Sequence, residues 1–403
     1  MNIGVIGGGA AGFFAAIAVK ENYPNANVII FEKSQKLLSK VKVSGGGRCN
    51  VTNGCTSISE LSQAYPRGQK LLKQAFRSFS TEDTMNWFEN RGVPLIIQED
   101  NCVFPTSQNS QSIIDCFLNE ANRLGIKIEI GLGVKTIKII DGSLYLGFSD
   151  HLQDRYLDKV IISTGGSPKR RGLEWLEALG HKIVDPVPSL FTFNMPDESV
   201  RDLMGIVVEK TIVSIQGTKL KSDGPLLITH WGMSGPAILK LSAFGARILS
   251  EQNYDFKIQV NWVNEANYDK VAEAVQVIID QHSNKILANV KPYFIKDRLW
   301  QYLLNKLGLS HQKKWNELGK KGKNKIVNIL TNDIYHVQGK TTFKEEFVTC
   351  GGISLESINA KTMASKVCPN LYFAGELMDI DGITGGYNFQ AAWTTAFIAG
   401  KLQ

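Results

Sequence analysis

The sequence predicts an α/β fold: a parallel sheet with an attached β-meander, built from both ends of the chain and interrupted by an inserted β plus helical block. Three observations predict it. An apolar run, a glycine turn and an apolar helix succeed one another at the N-terminus. A second strand–glycine–helix series closes the C-terminus. Between them, from about 189 to 345, the texture changes to short alternating runs and then to helical periodicity.

The N-terminal series carries the most information. Asn2 to Ile6 suits a buried strand, and Gly7, Gly9 and Gly12 satisfy G-x-G-x-x-G, with Ala10 and Ala11 inside the motif. Phe13 to Val19 continues as an apolar helix, and Val28 to Phe31 is a second strand ending on Glu32 and Lys33. In this setting Gly7 makes the tight turn, Gly9 admits a pyrophosphate to the backbone, and Gly12 lets helix and strand pack closely. The helix N-terminus offers N–H groups to phosphates, and Glu32 stands where an acid accepts from an adenosine ribose. The pattern is that of a Rossmann-like dinucleotide site.

The chain has 403 residues, enough for two or three domains with ample core. Its 43% hydrophobic and 21% charged content is that of an ordinary globular protein. Met1 to Val19 lacks a basic leader and is broken by glycines, so it is expected to be strand–turn–helix rather than a signal peptide. Six cysteines without a C-x-x-C pair make no disulfide framework, and a cytoplasmic location is expected. No metal-ligand spacing occurs, so no metal is expected. Net charge is +7, but thirteen Lys/Arg against four Asp/Glu lie between Lys285 and Glu345. That face is either simply solvated or meets an acidic partner.

After Glu32 comes a stretch from Lys42 through Ser44, Gly45, Gly46, Gly47, Arg48, Cys49 and Asn50 to Asn53. Three successive glycines followed by polar residues predict a loop whose backbone comes close to something, beside the cofactor. Helices are expected at 68–79 and 81–90, the second capped by Ser80, with strands at 93–97 and 101–104. A helix at 110–124 leads to a third parallel strand, Ile126 to Ile130, and to a hairpin of Val134–Ile140 with Ser143–Phe148. Val160 to Ser163 is a strand ending on Thr164, Gly165 and Gly166, at the end of a strand where ligands lie in doubly wound sheets.

The FAD-type domain is therefore expected at 1–188 and 346–403, and the insert at 189–345, with a β unit to about 262 and helices after it. Within the insert, His230 and Ser234 stand in THWGMSGP. Ser234 is expected to cap the helix begun by Pro236, whereas His230 is a candidate to meet substrate. Near the C-terminus a strand ends on Gly375 and Glu376. Asp381, Gly385, Gly386, Tyr387, Asn388, Phe389 and Gln390 then lead into an alanine-rich helix. This second glycine-led helix N-terminus is suited to negative charge on a flavin ring. A site at each chain end suits FAD better than NAD.

At these residues the chain resembles the YhiN/BaiN-like family of FAD-containing oxidoreductases, in the glutathione-reductase-like flavoprotein superfamily. The pieces that carry the resemblance are GVIGGGAAG, KVSGGGRCNVTN, THWGMSGP, CGGISLESINAKTMASK and LYFAGELMDIDGITGGYNFQAAW. It implies that Glu32 holds the adenosine ribose and that Ser44, Arg48 and Asn50 line the flavin. It also implies that Val134 touches adenine through its backbone, and that Glu376 and the turn from Gly385 to Gln390 hold ribitol and ring. Relatives are reductases of conjugated ketones such as bile-acid intermediates, or oxidases of small amines.

The expected function is an FAD-dependent oxidoreductase that takes hydride from NAD(P)H, a transient co-substrate without a second glycine motif of its own, and passes it to a small organic substrate. His230 and Arg48 are the candidates for catalytic acid or base. One alternative is thiol–disulfide exchange through Cys49, although Cys55 follows it by six positions rather than the five of C-x4-C. Another is a nucleic-acid-associated or tRNA-modifying protein that uses the lysine-rich insert, including Lys313, Lys314, Lys320, Lys321 and Lys323.

Overall fold

A computed structural model describes residues 1–148, 154–341 and 348–403. The chain divides into two compact units: Met1–Ser189 with Phe343–Gln403, and Leu190–Thr342. The domain junction expected at 345/346 lies outside the described residues.

In the first unit five strands form a parallel sheet: β1 (Asn2–Ile6), β2 (Asn27–Glu32), β3 (Lys127–Ile130), β4 (Lys159–Ile162) and β5 (Leu371–Phe373), in the order β5-β4-β1-β2-β3. β1 and β2 read as unbroken apolar runs because both faces are covered. β5 is contributed by the C-terminal segment, which pairs with β4 from Val160–Leu371 to Ile162–Phe373. The meander is a separate antiparallel sheet of Val134–Ile140, Ser143–Phe148 and Arg155–Leu157. Asp141 and Gly142 both have positive φ, the geometry that a two-residue hairpin turn needs.

Two helices lie side by side against this sheet, α1 (Ala10–Asn22) and α2 (Tyr387–Ala399). Ala11 to Val19 are all buried, so α1 is apolar all round rather than amphipathic. The rings of Phe14 and Trp393 pack with centroids 5.6 Å apart, and a Cβ on Gly400 would sit 2.6 Å from that of Ala18. Gly375 lies between Ala11 and Ala392. Since residue 392 neighbours residue 11 and residue 400 neighbours residue 18, the helices run in the same direction. α2 starts about one turn ahead of α1, roughly 6 Å at a helical rise of about 1.5 Å per residue.

The second unit holds a seven-stranded sheet with the order Asp333–Gln338, Asp255–Asn261, Val207–Ile215, Lys221–Thr229, Gly232–Ser234, Thr192–Asn194, Lys340–Thr341. Its helices include Pro236–Glu251, Tyr268–Gln281, Asp297–Lys306 and Gly319–Thr331. The part after 262 is not purely helical, because Asp333–Gln338 returns to the sheet with Asp333, Tyr335 and Val337 buried at alternate positions. The last helix begins at Gly319, ahead of its run of lysines, because lysine is a good helix former and does not interrupt it. Ser234 does not cap the helix at Pro236. It ends a strand, paired with Leu227, and the cap position belongs to Gly235 at φ +94°, which turns the chain so that Pro236 takes the first helical position. No helix among the described residues is long and apolar enough to cross a membrane.

Candidate functional site

The glycine turn after β1 permits no side chain at two of its three positions. Gly7 has φ +112°, and a Cβ there would sit 2.5 Å from the Ser163 carbonyl. A Cβ on Gly12 would strike the carbonyl of Gly7. A Cβ on Gly9 would meet nothing within 4 Å, and Gly9 is the N-cap of α1 with no side chain capping it. Backbone N–H groups in open space at a helix N-terminus make a phosphate seat.

Glu32 borders this turn. One carboxylate oxygen accepts from the Gly8 N–H at 2.7 Å and the other from the Ser34 N–H at 2.8 Å. Each oxygen keeps a further lone pair, so the group is held in place and still able to accept. The Leu132 N–H donates to the Glu32 carbonyl at 2.9 Å, which brings the start of the meander, with half-buried Val134, to the same end of the sheet. Lys33 is exposed. At the end of β4, Thr164 is exposed and a Cβ on Gly165 (φ +75°) would meet nothing within 4 Å. Gly166 faces Thr349 and Glu376, whose oxygens would lie 2.6 and 2.7 Å from a Cβ.

The segment expected to be an irregular loop begins as a helix. Ser39–Gly47 starts helically and loses that geometry at Ser44 (φ −61°, ψ 148°), Gly45 and Gly46. Gly45, Gly46 and Gly47 have φ of +57°, +67° and +84°, and a Cβ added to either of the last two would meet nothing within 4 Å. The segment is thus rigid at its base and open along its glycines. Lys42 bonds Gln111 at 2.8 Å, and the Ser44 hydroxyl donates to the Val41 carbonyl at 2.9 Å. Arg48 lies over the Phe104 ring, 4.1 Å from its centroid, with Nε donating to the Gly45 carbonyl at 3.2 Å. Asn50 accepts from the Val103 N–H. Cys49 is fully buried, and burial pushes its thiol up to about 12, so it is not a thiolate near neutral pH.

The C-terminal glycines meet this segment directly. Gly386, at φ +87°, caps α2 without side-chain help, and a Cβ there would strike the Thr52 carbonyl. Asn53 donates to the Gly385 carbonyl at 3.0 Å, and Tyr65 to the Tyr387 carbonyl at 2.7 Å. Asn388 brackets Gly382, accepting from its N–H at 2.8 Å and donating to its carbonyl at 3.0 Å. Phe389 stacks on Trp393 with centroids 5.4 Å apart.

Several expected residues turn their side chains inward. Buried Gln390 accepts from the hydroxyls of Thr52 (2.5 Å) and Thr84 (2.8 Å) and donates to Thr394 (3.0 Å). Asp381 is fully buried between Arg67 and the Ser189 hydroxyl; burial pushes its carboxyl up, against the pull of Arg67. Glu376 accepts from the Thr349 N–H at 2.8 Å and pairs with Lys40 at 2.6 Å. Thr52, Tyr65, Arg67, Thr84 and Thr349 were not expected at the site. Only Thr52 lay inside a motif; the others arrive by tertiary contact. His230 belongs to the second unit, exposed in the turn between Lys221–Thr229 and Gly232–Ser234, with its ring against Trp231. Among the described residues no cluster of His, Cys, Asp or Glu could hold a metal ion.

The residues fit FAD on geometry: two uncapped helix N-termini point the same way one turn apart, and open glycines at Gly9, Gly46 and Gly47 leave space for a bound group. Residues 1–402 match the family model described as HI0933-like protein Rossmann domain. The chain is 25% identical over 414 residues to 3-dehydro-bile acid delta(4,6)-reductase of Clostridium scindens, covering 99% of this chain and 98% of that one. It is 27% identical over 405 residues to ribosomal RNA dihydrouridine synthase of Haemophilus influenzae, covering 98% and 96%. A solved structure of 3-ketosteroid delta1-dehydrogenase from Sterolibacterium denitrificans shares the fold, at TM-score 0.51 and 11% identity over 99% of this chain and 98% of that one.

Proposed function

We propose, for a chain that belongs to the HI0933-like family and is an FAD-dependent oxidoreductase, that it reduces a carbon–carbon double bond conjugated to a carbonyl, with NAD(P)H as hydride donor. In the overall reaction one carbon of the double bond gains hydride, its neighbour gains a proton, and NAD(P)+ leaves. Bound FAD supplies the two-electron hydride chemistry. Gly7, Gly9, Gly12 and the first turn of α1 would hold the pyrophosphate, and Glu32 the ribose. Ser44 to Asn50 and the Gly385–Gly386 turn would line the ring.

The observation that carries this reading is the uncapped start of α2 seated on the glycine segment through Gly386 and Thr52. Its N–H groups and helix dipole favour negative charge, as hydride chemistry on a flavin requires. The inert Cys49 speaks against thiol–disulfide exchange. The acceptor class is supported by the names of the relatives. A 3-dehydro-bile acid with double bonds at positions 4 and 6 is a conjugated ketone, and dihydrouridine is uridine with its ring double bond saturated beside a carbonyl.

The test is anaerobic mixing of the yellow protein with NADH and with NADPH, then with a 4-en-3-one steroid or a uridine-containing RNA. Bleaching by one nucleotide and recovery of colour by one acceptor are expected. Absence of bleaching with both nucleotides, or recovery only with oxygen, would reject the reading.

A second reading of the acceptor, a uracil ring carried in RNA, is favoured by one further observation: a helix face in the second unit that carries lysines without acids.

A further inference from the structure

On helix Gly319–Thr331 the exposed residues Lys320, Lys321, Asn324, Lys325 and Asn328 fall at i, i+1, i+4, i+5 and i+8, a single stripe, while Gly322, Ile326, Val327, Ile329 and Leu330 are buried on the opposite side. A solvated helix face ordinarily mixes charges, with acids spaced to pair with lysines. This helix contains no Asp or Glu at all, and Lys320, Lys321 and Lys325 make no ion pair with a described residue. The lysines also sit in its first two turns, the end where the backbone dipole is already positive, so the helix concentrates unfavourable like charge.

The stripe borders a groove completed by Tyr268, the first residue of helix Tyr268–Gln281, a residue 44% exposed. Lys323 ties the two helices together by donating to Gln276 at 2.8 Å. Lysines for phosphates, an exposed aromatic ring for a base and two asparagine amides for base edges are together the chemistry of a single-stranded nucleic-acid surface. An anionic membrane would answer to the charge alone, whereas the exposed ring and the amides beside the lysines suit bases.

We propose that this groove of the second unit, lined by Tyr268, Lys320, Lys321, Asn324, Lys325 and Asn328, binds single-stranded RNA. The inference deepens the reading in which the acceptor is a uracil ring, since RNA held here is the form in which that ring would be presented.

The test measures retention of a labelled, mixed-sequence single-stranded RNA by the full FAD-loaded chain across a salt series. Binding by the natural protein is expected. K320E/K321E/K325E should weaken it at least about tenfold and flatten the log–log salt slope by about 2. Tyr268→Ala should cost on the order of tenfold, with Tyr268→Phe retaining most of the affinity. The reversal K210E/K219E/K221E, at exposed lysines elsewhere in the same unit, makes an equal change in net charge and should cost much less. Circular dichroism and urea melts report that the second unit of each variant is folded. No binding by the natural protein, equal losses in both triple variants, or uptake by phosphatidylserine vesicles with the same lysine dependence and no RNA binding would overturn the proposal. Flavin bleaching and recovery with a free enone require no RNA, so they read the reductase chemistry independently of RNA binding. If bleaching succeeds and RNA is not bound, only this inference falls; if RNA is bound and bleaching fails, only the reductase reading falls.

Discussion

Gly375 lies directly against Ala11: a Cβ built on Gly375, which has φ +77°, would come within 2.9 Å of the Ala11 side chain. The two residues are far apart in sequence, and their approach lets the C-terminal segment dock beside the glycine turn of α1. The N–H of Gly375 donates to Thr395 in α2 at 2.9 Å, which ties the same point to the second helix. The paired helix N-termini therefore depend on small residues at one crossing. Gly375→Val should lose bound flavin, read as the ratio of flavin to protein absorbance. Ala11→Ser should keep most of it.

Gly386→Ala tests the other junction. Its left-handed backbone and the close approach to Thr52 predict a cost of roughly 1–3 kcal/mol, together with weaker flavin retention. Urea unfolding and flavin titration measure the two effects separately. Gly92→Ala also sits at positive φ, but its new Cβ would meet nothing within 4 Å, and it should leave flavin affinity unchanged.

Arg67→Met would strip Asp381 of the guanidinium that offsets its burial. Breaking a buried pair in this way costs about 3–5 kcal/mol. Asp381 already has a raised carboxyl in the natural protein, and loss of Arg67 raises it further. The folded chain would then hold a proton that the unfolded chain has released, so stability is regained as pH falls through the carboxylate range. Urea melts of Arg67→Met at neutral and mildly acidic pH should show the deficit shrinking on the acid side. Asp381→Asn in the same background should shrink it at neutral pH.

Gln390→Leu leaves the Thr52 and Thr84 hydroxyls without their shared acceptor, at a cost of about 1–3 kcal/mol. A double-mutant cycle with Thr84→Val should give a coupling energy well away from zero, because both residues belong to one buried network.

Cys49 gives a pH dependence of stability that an ordinary exposed thiol, alike in folded and unfolded chain, does not. Between its usual value of 9.0 and about 12 the unfolded chain ionises there and the folded chain does not. Stability at this site is therefore lost as pH rises above about 9. Alkylation of the native protein at mildly alkaline pH should spare Cys49 and become rapid only in denaturant. Fast native labelling at that position would show that the thiol is reachable.

The local signals of the first unit were legible because each rested on short-range physics. Gly7, Gly9 and Gly12 report a backbone that tolerates no Cβ, and the apolar run of β1 reports burial on both faces. Ser80 and Asp83 form the capping box that their spacing implies. The helical start of Ser39–Gly47, anchored by the burial of Val41, is hidden in the sequence by the three glycines that follow it. Local capping preference points to Ser234 as a cap, but strand pairing with Leu227, a tertiary matter, overrides it.

By itself, then, the sequence determined a nucleotide-binding turn at one end, a glycine-led helix at the other, and a change of texture between them. Only the tertiary structure decided that α1 and α2 lie parallel one turn apart, that Gln390 and Asp381 spend their side chains on buried partners, and that Cys49 is inert. The physical reason is range. A glycine's φ and a strand's apolar run are set within a few residues. Whether a carboxylate or thiol faces a ligand or the interior is set by whichever distant segment packs against it.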